Sequence, residues 1–359
     1  MCGGGGRIRG MGRIQLTHTY EDIISVENLL EAWKEFVRGK RKKTDVQEFQ
    51  YSLMDNVLAL HQDLAARRYV HGPYHAFNIS DPKPRNIHKA MVRDRLLHHA
   101  IYRKLYPFFD RTFIADSYSC RRGKGTHAAM HRFRTFASKV SRNHMRTCWV
   151  LKCDVRKFFA SIDHGVLTRI LEKYIPDENI LKLLSHIIGS FDSAYIPLFA
   201  AAQEGIYTRT GLPLGNLTSQ LLVNIYMNEF DQYVKHVLKA NHYIRYADDF
   251  VILSHDREWL AGILPHVYEF LCARLSLALH PDKVSIRTIA SGIDFLGWIH
   301  FPDHRVLRTA TKRRMFARLR EDAFEERIAS YHGLLSHGNA KKLTEMIVAL
   351  KRTGSNGVV

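Results

Sequence analysis

The sequence predicts a mixed helix-and-sheet protein of the α+β class, with helices at both ends and a sheet in the middle. Near the N-terminus, apolar residues recur every three or four positions, which is the period of a helix with one buried face. In the middle, short β-branched and aromatic runs are bounded by polar turns, as is typical of strands. Toward the C-terminus the pattern becomes helical again and strongly basic.

The N-terminal third is predicted to be largely helical. Residues 1–14 are rich in Gly and Arg without periodicity, so we expect a flexible arm. Residues 15–69 form a predicted helical extension, in which the apolar period is interrupted by a basic stretch at 38–43. Proline and basic residues between 71 and 89 indicate short strands, and the pattern from 93 to 109 predicts a further helix.

The middle of the chain alternates predicted strands and helices. Residues 149–155 predict a strand that ends in an acid, Asp154, and helices are predicted over 164–174 and 219–238. Between 243 and 253, two β-prone runs flank the polar pair Asp248-Asp249, which predicts a hairpin. Residues 303–359 are predicted to form a basic helical segment.

The charge balance indicates a polyanionic partner. The chain holds 53 Lys and Arg against 35 Asp and Glu, a formal net charge of +18. Such a surplus on a globular chain favours nucleic acid first and an acidic membrane surface second. No run of about 18 apolar residues occurs to predict a spanning helix. The five cysteines form no CxxC pair, which indicates reduced thiols inside the cell.

The acidic residues of the predicted hairpin are the first candidates for chemistry. Asp248 and Asp249 lie side by side in an apolar segment, where adjacent carboxylates repel each other and are costly to desolvate. They are either ordinary turn residues or ligands of a hard divalent cation. With Asp154 they would give three carboxylates on two neighbouring strands, an arrangement suited to two Mg2+ ions and in-line phosphoryl transfer.

Several segments, in order along residues 70–300, together resemble the motifs of reverse transcriptases. Asp154 with Phe159 resembles motif A, and Tyr246-Ala247-Asp248-Asp249 resembles the Tyr-X-Asp-Asp box of motif C. The remaining matches are residues 211–220 with motif B, Lys283 with the motif D lysine, and Phe295, Leu296, Gly297 and Trp298 with the primer grip. Residues 83–85, 92–95 and 116–127 resemble the fingers of group II intron-like bacterial enzymes.

This resemblance implies a right-hand polymerase with α-rich fingers, an antiparallel-sheet palm and a helical thumb. Fingers and palm would occupy residues 70–302, and the thumb residues 303–359. The implied activity is RNA-directed DNA polymerisation. Asp154, Asp248, Asp249 and the Val155 carbonyl would hold two Mg2+ ions, with Mn2+ as a substitute. The residues implied in dNTP binding are Phe159, Leu214, Gly215, Arg85, Lys83 and Lys283. Phe159 would exclude a 2′-hydroxyl.

Motif B departs from the usual Gln-Gly-x-x-x-Ser-Pro pattern. Leu214 replaces the Gln and Gln220 replaces the Pro, which resembles the enzymes of diversity-generating retroelements. Those enzymes copy a template-repeat RNA into cDNA with frequent errors at adenines. Because Leu214 offers no amide to the base pair, we expect it to lower fidelity, unless the change is only a packing swap. The alternatives are a retron-type or phage-defence reverse transcriptase, or a catalytically weak RNA-binding scaffold of polymerase fold.

Two basic segments are expected to contact the nucleic-acid backbone, although a solvated charged face is the alternative. The residues are Arg121, Arg122 and Lys124 in the fingers, and Lys312, Arg313, Arg314 and Arg318 in the thumb, where they are predicted to share an exposed helix face. The resemblance implies a structured template RNA, a cDNA–primer duplex and dNTPs as partners, together with a small basic accessory protein that forms a pentamer. It also implies a cytoplasmic protein of bacterial, archaeal or phage origin, without a membrane partner.

Overall fold

The computed structural model describes residues 14–80, 84–193, 209–321 and 325–354. The chain divides into two compact units. The first comprises Met1–Ile114, Arg156–Asp231 and Glu269–Ala278, and the second comprises Ala115–Val155, Gln232–Tyr268 and Leu279–Val359. Both units contain helices and strands, so the predicted mixed class is confirmed. The division into arm, extension, fingers with palm, and thumb stays a prediction.

The helices and strands follow one another through most of the described chain. The helices are α1 (Tyr20–Ile24), α2 (Val26–Phe36), α3 (Thr44–Tyr51), α4 (Leu53–Ala65), α5 (Val92–Asp110), α6 (Thr126–Ser141), α7 (His164–Glu172), α8 (Glu178–Gly189), α9 (Leu217–His236), α10 (Arg257–Leu275), α11 (Thr309–Glu321), α12 (Glu325–Leu335) and α13 (Lys341–Gly354). The strands are β1 (His75–Ile79), β2 (Arg85–Lys89), β3 (Trp149–Asp154), β4 (Tyr243–Tyr246), β5 (Asp249–Ser254), β6 (Ser285–Thr288), β7 (Ile293–Phe295), β8 (Trp298–His300) and β9 (Arg305–Leu307). None of the helices in the described ranges is long and apolar enough to cross a membrane.

The predicted N-terminal helical pattern is divided into the short helices α1 to α4, and side-chain caps begin the first two. The Thr19 hydroxyl and the Asp22 carboxylate form a reciprocal capping box at the start of α1, which satisfies otherwise unpaired N–H groups. The Ser25 hydroxyl accepts a hydrogen bond from Asn28 N–H at 3.2 Å. Ser25 is therefore the N-cap of α2. The predicted apolar stripe is buried along both helices, and Trp33 of α2 stacks on Phe49 of α3 with ring centroids 5.2 Å apart.

The second unit is built on a four-stranded antiparallel sheet of order β4-β5-β3-β6. The central strands β3 and β5 carry mostly apolar side chains, and Val150 and Val251 belong to one buried cluster with Phe133 and Phe136 of α6. Short β-branched and aromatic runs bounded by polar turns are typical of strands. The predicted strand that ends in Asp154 and the predicted hairpin are therefore confirmed.

A second sheet, of order β7-β8-β9, belongs to the same unit. The prediction of helix immediately after Asp303 is wrong, because Arg305–Leu307 forms β9 and pairs with β8. Helix α11 begins only at Thr309. Its buried Met315 and Leu319 share a core cluster with Trp298 of β8.

Candidate active site

Three aspartates lie at one corner of the four-stranded sheet. Asp154 ends β3 and Asp249 begins β5, and these two residues are direct partners in the antiparallel register. Directly opposed residues on one face have Cβ atoms about 4.5–5.5 Å apart. Asp248 lies in the two-residue turn between β4 and β5, and its carbonyl accepts a hydrogen bond from Val155 N–H at 3.0 Å. The sheet register therefore brings the three acids of motifs A and C to one corner.

The Asp249 carboxyl lies in surroundings that disfavour its negative charge. Its side chain is only 18% exposed, and its Oδ1 is buried without a hydrogen-bond partner in the described part of the chain. Burial raises the pKa of Asp249 to about 7, and the charges of Asp154, Asp248 and Asp294 add to this rise, while Lys152 opposes it. A buried carboxylate of this kind is stabilised by a cation.

Two lysines contact the aspartates. The Lys152 ammonium lies 3.6 Å from Asp249 Oδ2, because Lys152 stands two residues before Asp154 and so shares its face of β3. The Lys283 ammonium donates to Asp154 Oδ1 at 2.8 Å. A short helical turn, Pro281–Lys283, positions Lys283, and His280 N–H at its start donates to the Asp154 carbonyl at 2.8 Å. Both acids of the paired strands thus contact an ammonium group.

Sequence reasoning missed two of the residues around these acids. Lys152 could have been found from the sequence, since a cation two positions before an acid in a strand lies on the same face. Asp294 could not have been found in this way, because its role depends on tertiary contacts. Its carbonyl accepts a hydrogen bond from Lys152 Nζ, and its Oδ1 accepts one from Arg308 Nε at 3.0 Å.

The donor set at the sheet corner fits a hard divalent cation in its chemistry. Carboxylate and carbonyl oxygens are the ligands that Mg2+ prefers, and the unpartnered Oδ1 of Asp249 offers an unused acceptor position. The side chains are not gathered around one point, however. In the described ranges no group of three or more His, Cys, Asp or Glu residues is arranged to hold a metal ion. The Lys283 ammonium instead neutralises Asp154.

The residues of motif B form a loop in the first unit, together with Phe159. Leu212 N–H donates to the Phe159 carbonyl at 2.8 Å, and the Leu214 carbonyl accepts from His88 N–H of β2 at 3.0 Å. Phe159 is half-buried, whereas its neighbour Phe158 is fully buried in the core. The structure therefore gathers Phe159, Leu214 and strand β2 into one local site.

Close backbone approach explains the glycine of this loop. Gly215 has φ +105°, and a Cβ there would lie 2.9 Å from Ile87 Cγ2 of β2, so a larger residue is excluded. Asn216 Nδ2 donates to the His88 carbonyl at 3.1 Å. Gln220 lies half-buried in the first turn of α9, and Arg85 is exposed at the start of β2. Lys83 lies outside the described residues.

The primer-grip residues form the tight turn between β7 and β8. Phe295 pairs with Trp298 in the register, and both side chains are buried. Leu296 and Gly297 have φ +53° and +87°, as the two central residues of a type I′ hairpin turn require. The accessible part of this motif is therefore the Leu296-Gly297 turn rather than its aromatic rings.

The basic residues divide into structural and exposed members. Arg121 NH1 donates to the Ser117 carbonyl at 3.1 Å, and Lys124 Nζ donates to the Ala115 carbonyl at 2.9 Å, so both brace their own loop. Arg122 is exposed. On α11, the basic residues Lys312, Arg313 and Arg320 are exposed, whereas Arg314 and Arg318 are half-buried. Arg314 and Arg318 are four residues apart and so share a face of α11, which flanks the buried face of Met315 and Leu319 and is less exposed than predicted.

Comparison with known proteins identifies the family. Residues 80–300 match the family described as reverse transcriptase (RNA-dependent DNA polymerase). This match covers more than half of the chain, which therefore belongs to the reverse transcriptase family. The predicted enzyme class, RNA-directed DNA polymerase, is confirmed. Reverse transcriptase domains generally use divalent metal ions, and they act on nucleic acid under the direction of an RNA template.

The similar proteins include intron-encoded relatives. Protein YkfC of Escherichia coli (strain K12) is 29% identical over 296 residues, which cover 72% of this chain and 71% of YkfC. The group II intron-encoded protein LtrA of Lactococcus lactis subsp. cremoris is 21% identical, with 62% of this chain and 44% of LtrA covered. The putative COX1/OXI3 intron 2 protein of Saccharomyces cerevisiae is 20% identical, with coverages of 63% and 30%. The chain thus spans less than half the length of these two intron proteins. A solved telomerase structure from Candida albicans, bound to a telomeric RNA fragment, gives a TM-score of 0.48 at 12% identity, with 68% of this chain and 48% of the telomerase covered.

Proposed function

We propose that this protein copies an RNA template into DNA by extending a primer with deoxynucleotides, using a right-hand arrangement of fingers, palm and thumb. The observation that carries the proposal is the register of β3 with β5, which places Asp154 opposite Asp249 and beside the Asp248 turn. In a member of the reverse transcriptase family, this corner of the sheet is the expected position of nucleotidyl transfer.

The three aspartates are proposed to hold two Mg2+ ions, with the Val155 carbonyl as a further ligand. Ions held there would supply the Lewis-acid chemistry that activates a primer 3′-hydroxyl and stabilises a leaving pyrophosphate. The chain's own contribution is to keep buried carboxylate oxygens available, as the unpartnered Asp249 Oδ1 indicates. Lys283 is proposed to contact the triphosphate, since its ammonium already lies 2.8 Å from Asp154.

Primer extension tests this function. Purified protein is given an RNA template, an annealed DNA primer, dNTPs and Mg2+. We expect Asp154→Asn and Asp249→Asn to lower kcat by about 1,000-fold, because several kcal/mol of transition-state stabilisation disappear. Asp303→Asn is the matched control, since Asp303 belongs to the same unit and is 81% exposed. Extension by the Asp249→Asn protein at the wild-type rate would contradict the proposal.

Phe159 is proposed to select deoxynucleotides. It lies half-buried beside the motif B loop, so part of its ring remains available to a nucleotide, while Phe158 fills the core. A bulky ring below the sugar clashes with a 2′-hydroxyl and leaves a deoxyribose unhindered. Arg85 and Lys83 are proposed to meet the triphosphate as cations.

The finer proposal is that the cDNA is error-prone at template adenines, as in diversity-generating retroelements. It is supported by Leu214 and Gln220, which replace the usual Gln and Pro of motif B. The Leu214 carbonyl accepts a hydrogen bond from His88 N–H, which fixes the backbone. A substitution at this position therefore changes the side chain rather than the course of the loop. A structured template RNA and a small basic pentameric accessory protein are the partners that this subfamily implies.

Sequencing of the cDNA tests the fidelity assignment. We expect Leu214→Gln to reduce misincorporation at template adenines about 10-fold, because it supplies an amide donor and acceptor beside the base pair. Leu214→Met is the control, since Met changes the shape without adding an amide. An equal error rate at template adenines in the wild type, Leu214→Gln and Leu214→Met would show that Leu214 does not determine fidelity.

A further inference from the structure

Arg245 is a buried cation in the strand that leads to the aspartate turn. It is the third residue of β4, and its side chain is 0% exposed. Removing a guanidinium from water costs several kcal/mol unless its donors are satisfied. An arginine among Tyr243, Ile244 and Tyr246 is therefore a costly choice for a strand whose neighbours are apolar.

The donors of Arg245 reach two different parts of the second unit. NH1 donates to the Ala247 carbonyl at 3.2 Å, and NH2 donates to the Ser117 hydroxyl at 3.1 Å. The backbone makes the same connection, since Arg245 N–H donates to the Asp116 carbonyl and Tyr118 N–H donates to the Arg245 carbonyl, both at 3.0 Å. The planar fork of arginine suits two acceptors in fixed directions.

The first acceptor belongs to a strained turn. Ala247 has φ +55°, a left-handed conformation that is unfavourable for a residue with a side chain. The next two residues are Asp248 and Asp249, so the direction of the Ala247 carbonyl helps to set where both carboxylates begin. A hydrogen bond from a buried guanidinium holds that carbonyl in place.

The second acceptor belongs to a segment that is itself braced. Ser117 is 0% exposed and Asp116 is 6% exposed. The Asp116 carboxylate accepts hydrogen bonds from Arg132 Nε at 2.8 Å and from the Tyr118 hydroxyl at 3.2 Å. This segment is therefore a rigid support from which Arg245 reaches the turn.

We infer that Arg245 is a positioning residue, which ties the Ala247 carbonyl to the Ser117 segment and thereby fixes Asp248 and Asp249 for cation binding and catalysis. The inference rests on the proposed function, because it concerns the carboxylates assigned there. Removing groups that orient metal ligands typically costs about 10–100-fold in metal affinity or activity.

Metal binding without nucleic acid provides the direct test. The probe is Mn2+, followed by the EPR signal of the free ion, with the full chain held well below its melting temperature. We expect Arg245→Lys to bind Mn2+ about 10-fold more weakly, because one ammonium cannot serve both acceptors in the arginine geometry. Ser117→Ala, which removes one acceptor, is expected to weaken binding about 3-fold. Arg287→Met, an exposed arginine on β6 of the same sheet, is expected to bind as the wild type does.

Primer extension separates positioning from simple stability. We expect Arg245→Lys to lower kcat about 10-fold while KM for the template–primer is unchanged. If Arg245→Lys and Ser117→Ala have a lower melting temperature but bind Mn2+ and extend primers as the wild type does, the inference is overturned. A wild type that binds Mn2+ but extends no primer would refute the proposed function alone, with Arg245 still decided by the Mn2+ data. A wild type that does neither would refute both.

Discussion

Replacing Asp249 with Asn is expected to stabilise the metal-free protein at neutral and alkaline pH. The folded-state pKa of Asp249 is raised from its ordinary 3.8 to about 7, chiefly by burial. The folded protein therefore keeps a proton that the unfolded chain has lost, and stability falls as pH rises between these two values. A difference of about 3 pKa units corresponds to about 4 kcal/mol. Below about pH 3 the carboxyl is protonated in both states, and this penalty disappears.

The assay is urea unfolding in EDTA at several pH values. At pH 8 we expect Asp249→Asn to raise the free energy of unfolding by about 2–4 kcal/mol, since the amide removes the buried charge but leaves a polar group to satisfy. For a chain of 359 residues this corresponds to a melting temperature about 3–5 °C higher. Near pH 3 the two proteins are expected to be equally stable. Asp282→Asn is the control, because the Asp282 side chain is 87% exposed. Its free energy of unfolding is expected to show no comparable gain at pH 8. An Asp249→Asn protein that is no more stable than the wild type at pH 8 would refute the reasoning.

Three further predictions concern the core and the nucleotide-side site. Burial lowers the pKa of His98 to about 3, and neither ring nitrogen has a hydrogen-bond partner in the described chain. Stability is therefore lost as pH falls below about 6.5, and His98→Phe should remove about 2 kcal/mol of the loss in unfolding free energy between pH 7 and pH 5. A Cβ at Gly338 would overlap the Trp298 ring, so Gly338→Ala should lower the unfolding free energy by about 1–3 kcal/mol in urea. Phe159→Ala should raise ribonucleotide incorporation about 10-fold in primer extension. The buried Phe158→Leu should lower stability without altering sugar selection, and equal incorporation by the two variants would reject Phe159 as the gate.

Much of the fold was predictable because local patterns and tertiary packing agree. The apolar period marked the buried faces of α1, α2 and α4, and β-prone runs bounded by polar residues marked β3 and the β4–β5 hairpin. The prediction failed where short elements depend on a distant partner. Strand β9 is three residues long and forms through its pairing with β8. The basic helical pattern of the residues that follow it therefore predicted a helix there.

The candidate site shows the same division. A carboxylate pair in an apolar hairpin and an acid at a strand end are visible in sequence, because burying such groups is costly and therefore unusual. The sequence also marks Phe159 and Leu214 by their positions within motifs. Their roles remain proposals, but the residues themselves needed no coordinates to be found.

By itself, then, the sequence determined the mixed fold class and the order of motifs that resembles the family. It also marked the three aspartates as candidate metal ligands. Only the tertiary structure decided which cations contact them, namely Lys152 on Asp249 and Lys283 on Asp154. It also decided that Arg245 is wholly buried and bonded to the Ala247 carbonyl. The physical reason is that motifs record local chemistry along the chain, whereas strand register and burial bring together residues that are far apart in it.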